Sequence, residues 1–162
     1  MTTPSPTRLN LSAGLMSACV ALILVVAKLW ALSETGALSV AASLADSALD
    51  LMVSLGGLAA IIYAARPPDE DHAFGHSSAE DLAALGQSLF IIVSAIVITW
   101  ASIARLIAGP PSPIVGEGRG IAVMILSIVL TLGLVLWQRH VIRTTGNRVI
   151  KADQLHYMGD LI

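Results

Sequence analysis

Ser43-Leu-Ala-Asp-Ser-Ala-Leu-Asp-Leu-Met-Val53 sets two carboxylates, Asp46 and Asp50, inside a long apolar run. Positions i and i+4 of a helix share one face, so the two side chains project together. A carboxylate at membrane depth costs roughly 2.5 to 3.5 kcal/mol on insertion scales, and two neighbouring ones also repel. A metal ion, bound protons or basic partners can offset that cost. No Lys or Arg lies within residues 37–63. Metal and protons are therefore the expected compensation.

The rest of the chain fits a lipid solvent. Of its 162 residues, 56% are hydrophobic and 12% charged, with a mean hydropathy of +0.81. A soluble domain carries about 25% charge. A net charge of -2 argues against nucleic acid as a partner. The single cysteine, Cys19, can form no intrachain disulfide and reads as a small packing residue. The first apolar stretch, residues 11–32, is too long for the core of a signal peptide and reads as a retained span. Lys28 near its end reads as a snorkelling side chain, with Trp30 anchoring the same level.

The pattern predicts an all-α, multi-pass membrane bundle of four complete spans and the start of a fifth. Residues 1–9 read as a cytoplasmic tail and residues 10–162 as one transmembrane domain. The spans fall at about residues 10–32, 37–65, 79–108 and 120–137. Arg66-Pro67-Pro68 ends the second and Gly109-Pro-Pro-Ser-Pro113 the third, because proline denies the helix its continuation. A basic connector, Gln138 to Arg148, leads to a fifth helix from near Val149. Arg8, Arg66, Arg139, Arg143, Arg148 and Lys151 fall on one side, against Lys28, Arg105 and Arg119 on or nearer the other. The basic excess puts the amino terminus in the cytoplasm of an integral protein of the plasma (inner) membrane.

The final stretch, Ala152-Asp-Gln-Leu-His-Tyr-Met-Gly-Asp160, repeats the geometry of the second span. His156 and Asp160 are again i and i+4. Two such helices can close around one ion, and three carboxylates with one imidazole suit a first-row divalent metal, zinc if tetrahedral. The plainer alternative is that these groups line a watery crevice or bond neighbouring helices, and that the short last helix lies on the membrane surface. In the loop Asp69-Glu-Asp-His-Ala-Phe-Gly-His76, the residues Asp69, His72 and His76 could bind a second ion. They share a helical face only if Gly75 does not break the helix. Alternatively the loop is solvated and His72 and His76 cap the third helix. His140 has no companion at ligand spacing and reads as an interfacial loop residue.

Asp46-Ser-Ala-Leu-Asp50, Asp69-Glu-Asp-His-Ala-Phe-Gly-His-Ser-Ser-Ala-Glu80 and Ala152-Asp-Gln-Leu-His-Tyr-Met-Gly-Asp160, in that order among the spans, resemble the cation diffusion facilitator family of divalent-metal transporters. The resemblance implies a transport site at Asp46, Asp50, His156 and Asp160. It implies a second metal site at Asp69, His72 and His76. It also implies a homodimer that exchanges zinc, iron or cadmium for protons, with no enzyme activity and no cofactor beyond the bound or transported metal. Ser77-Ser78 stands where similar bacterial proteins often carry Gly-Lys, whose lysine joins a charge interlock at the dimer interface. The family has six membrane helices and this chain ends two residues beyond Asp160, so the resemblance implies a fragment of a longer product or a truncated form.

Metal binding requires deprotonated carboxylates and a free imidazole nitrogen, so it expels protons. If one conformation favours metal and the other protons, exchange follows. Efflux of a divalent transition metal is the expected function, zinc first, with iron, cadmium and manganese open. Two other classes remain open at this stage. A proton-coupled transporter of small organic cations would use the membrane acids but not the histidine. A non-transporting membrane partner would use the Gly56-x-x-x-Ala60 small-residue spacing for helix association.

Overall fold

Pro6 opens the first helix, α1 (Pro6–Thr35), where a missing N–H costs nothing because a helix start leaves that group unpaired anyway. Gly36 closes it in the left-handed region at φ 59°, its N–H reaching the Leu32 carbonyl at 2.8 Å. The structure, a computed structural model, describes residues 5–36, 38–108 and 117–161. The remaining helices are α2 (Leu38–Ala64), α3 (Ser78–Ala108), α4 (Glu117–Thr145) and α5 (Arg148–Gly159). Four helices are long and apolar enough to cross a membrane, and no strand occurs among the described residues. The chain is an all-α, multi-pass membrane protein.

Two boundaries differ from the expectation. Part of the anticipated tail is already helical from Pro6, because nothing after that proline interrupts the helix. The anticipated connector after Trp137 is helical to Thr145, because no residue breaks the pattern before Gly146. In that last stretch Gln138 and Val141 turn inward while Arg139 and Arg143 stay exposed. The proline-rich stop at residues 109–113 and the side chains of Arg105 and Arg119 lie outside the described residues.

Packing follows the apolar pattern. α1 lies against α2 and α4, α3 against α2 and α5, and α4 against α5. One core patch joins Leu9, Ala13, Ile61, Val141, Val149 and Ile150. A second joins Val20, Leu24, Leu134, Val135 and Tyr157. Outside them, Leu22, Val26, Met52, Ile96 and Val129 are all exposed, a face that lipid solvates and water would not. Cys19 belongs to that outer face rather than to the packing, because the inward side of α1 is carried by Ala13, Ser17, Val20 and Leu24. α3 is outermost, with 6% of its apolar stretch buried.

Small residues act where helices approach. A Cβ on Gly57 would stand 3.1 Å from Val149 Cγ1, so the absent side chain lets α5 settle onto α2. Gly56 instead has open space around its Cβ position among the described residues.

Candidate metal centre

The two-residue junction Gly146-Asn147 aims the last helix. Gly146 takes φ 67° and sends its N–H to the Ile142 carbonyl at 2.8 Å, ending α4. Asn147 then caps α5, its side-chain oxygen accepting the Ile150 N–H at 3.0 Å. α5 therefore runs back along α4, with Gln138 meeting Asp153 and the Val135 carbonyl meeting Gln154.

This return brings His156 to Asp50. Nε2 of His156 lies 2.7 Å from Oδ1 of Asp50, and the residues are 8% and 5% exposed. Asp160 joins them, and one ligand atom from each of the three lies within 4.8 Å of the others. Asp160 closes the end of α5, where its backbone N–H reaches the His156 carbonyl at 3.3 Å. Phe90 of α3 meets the His156 ring edge-on at 6.0 Å, and Tyr157 flanks it at 5.5 Å. Asp46, one turn before Asp50 on α2, is exposed and outside the converging trio.

A cation from outside the apolar run does reach α2. Lys28 of α1 sends its ammonium across to α2, donating to Ser47 Oγ at 2.6 Å and to the Ser43 carbonyl at 3.2 Å. It does not simply snorkel to the interface. This cation comes from the neighbouring helix, which a search along the apolar run of α2 cannot find, and its bonds go to neutral serine groups rather than to the Asp46 or Asp50 carboxylates.

The loop between α2 and α3 brings Asp69, His72 and His76 together by folding rather than along a helix face. Gly75 takes φ 79° and breaks any helix there. Asp69 Oδ1 accepts the backbone N–H of His72 at 2.8 Å and lies 2.9 Å from its ring Nδ1. Its Oδ2 lies 3.2 Å from Nε2 of His76. One ligand atom from each falls within 4.8 Å of the others. His76 is buried, stacks edge-on against Tyr63 at 4.7 Å, and its carbonyl accepts the Ala79 N–H at 3.0 Å at the start of α3.

Asp69 is exposed, and the hydrogen bond from the His72 ring, followed by that from its backbone, holds the Asp69 carboxyl below the ordinary aspartate range. A depressed value means that the contribution of this carboxylate is complete above the ordinary range and is lost as pH falls through the folded value. An NMR titration of the Asp69 carboxyl carbon gives a midpoint below that of an unstructured aspartate, and His72→Ala returns it upward. An unshifted midpoint in the native chain contradicts the pairing.

His140 lies on α4 rather than in a loop, stacked on Trp137 at 5.6 Å. Sequence reasoning passed over Asp153. It is 6% exposed and accepts from Ser17 Oγ at 2.6 Å, Gln138 Nε2 at 2.6 Å and Gln87 Nε2 at 2.8 Å. Ser17 also bonds Ser54 at 2.9 Å, and Ser54 bonds the Tyr157 hydroxyl at 3.0 Å. The available signal was Gln87 and Gln138 in apolar spans, since each buried amide in lipid must find a partner.

A family model described as the cation efflux transmembrane domain matches residues 14–162. The chain belongs to the cation efflux family. This bears out the resemblance carried by the Asp-x-x-x-Asp helix and the histidine loop. The cation efflux chain is 40% identical to the cation-efflux pump FieF of Salmonella arizonae over 96% of its own length and 51% of the relative's. It is 41% identical to FieF of Yersinia enterocolitica over 98% of its own length and 52% of the relative's. It thus spans about half the length of the curated relatives it matches.

Proposed function

We propose that this chain carries a divalent transition metal, zinc foremost, out across the bilayer in exchange for protons, through Asp46, Asp50, His156 and Asp160. The observation that carries the reading is the 2.7 Å approach of His156 to Asp50, two residues 106 apart in sequence and both buried. Whichever of the two atoms carries it, one hydrogen lies between Nε2 of His156 and Oδ1 of Asp50. A metal taking the same nitrogen must displace that hydrogen.

Asp160 adds a third ligand at suitable spacing, and Asp46, one turn from Asp50, supplies the fourth when its side chain turns inward. Three carboxylates and an imidazole suit zinc. Asp69, His72 and His76 form a second site for the same ion at the membrane surface. The names of the FieF relatives as cation-efflux pumps support export as the direction, the family resemblance supports a homodimer, and the excess of Lys and Arg on one side supports an amino terminus in the cytoplasm.

Titrating the purified protein with Zn2+ in weak buffer releases at least about one proton per ion bound at the membrane site. Metal binding with no proton release sinks the exchange. No binding at all sinks the site, and with it favours the organic-cation or non-transporting alternatives.

A further inference from the structure

We infer that Lys28 is a tethered counter-cation of the transport site, which holds its metal affinity low enough for the ion to leave. This rests on the metal reading of Asp50, His156 and Asp160. A lysine that merely snorkels sends its ammonium toward water. That of half-buried Lys28 instead lies against α2, where Ser47, 2% exposed, accepts at 2.6 Å and the Ser43 carbonyl at 3.2 Å.

Those two anchors bracket Asp46 in sequence, and Ser47 lies three residues before Asp50 on the same side of α2. The ammonium is thereby held against the turn of α2 that carries Asp46 and leads to Asp50. Ser47 and Ser43 are neutral, so the bonds hold the charge in place without cancelling it.

One fixed charge then acts oppositely in the two states of the site. With neither metal nor protons bound it offsets the mutual repulsion of Asp46, Asp50 and Asp160, which is the state that a titration above the carboxyl range starts from. With metal it repels the divalent ion held by the same carboxylates. Both effects favour release. A transport site must bind well enough to load and weakly enough to unload. At roughly one to two helical turns, a unit charge facing a divalent ion changes affinity by about four- to thirteenfold in the aqueous limit, and by more toward the protein-surface limit.

The test is Zn2+ titration of the purified chain, in an Asp69→Ala background that leaves one metal site, followed by uptake into proteoliposomes. Lys28→Met tightens binding about tenfold and lowers both KM and maximum rate. Lys28→Gln, which keeps a donor for Ser47 but no charge, does the same, and Lys28→Arg stays near native. Native affinity in both Lys28→Met and Lys28→Gln overturns the inference and leaves Lys28 an interfacial anchor. Weaker binding in both also overturns it, in favour of a packing role. If Asp50→Ala leaves native Zn2+ affinity unchanged, the metal reading itself fails instead.

Discussion

Replacing His156 by alanine lowers Zn2+ affinity at the membrane site by at least about 100-fold. Even outer partners of a metal ligand are worth 10–100-fold, and in the proposed site His156 supplies the imidazole itself. Its Nε2 faces Asp50 at 2.7 Å with Asp160 in the same cluster, so the truncation leaves two acids with no nitrogen donor between them. The loss falls chiefly on the metal site, because beyond Asp50 the His156 ring packs against Phe90 and Tyr157 at 6.0 and 5.5 Å and holds no other helix in place among the described residues. Calorimetric titration of native and variant protein in detergent checks this. A change of less than about threefold means that the ion is not held by this imidazole, and a small-organic-cation carrier becomes the better account.

The second large effect is on stability. Asp153→Ala removes the acceptor shared by Ser17, Gln87 and Gln138, three donors from α1, α3 and α4 that converge on α5. Interhelical hydrogen bonds in membrane proteins average about 0.6 kcal/mol each, and stranding a buried donor adds about 1 kcal/mol or more. A loss of about 2–3 kcal/mol follows, which for a chain of this size lowers Tm by about 5–10 °C. Asp153→Asn loses less. Gln87 and Gln138 leave their Oε1 atoms without a hydrogen-bond donor in the described structure, so either amide can turn its oxygen to the new Asn amide. Thermal melts in detergent measure both. A native-like Tm for Asp153→Ala contradicts the hub.

These two residues stand three apart on α5 and were unequally visible beforehand. His156 announced itself through its i+4 partner Asp160 and through the matching pair on α2. Asp153 had no such echo, because its partners are single polar residues scattered over three other helices. The loop trio was visible as a set but not in its geometry. Asp69, His72 and His76 meet because Gly75 breaks the helix, the condition under which the face-sharing reading would have failed.

The amino-acid sequence by itself determined the membrane-spanning helices, the family and the two i, i+4 pairs of the candidate site. All of these rest on local periodicity, on runs of apolar side chains and on spacings within one helix, which the backbone geometry converts directly into a shared face. Only the tertiary structure decided that Asp46 stands outside the converging trio, that Lys28 reaches Ser47, and that Asp153 gathers α1, α3 and α4 onto α5. Each depends on how far one helix is rotated and slid against another. A rotation of one residue, about 100°, turns any side chain from bundle to lipid. That setting is made by close contacts such as Gly57 against Val149, between segments that the sequence holds far apart.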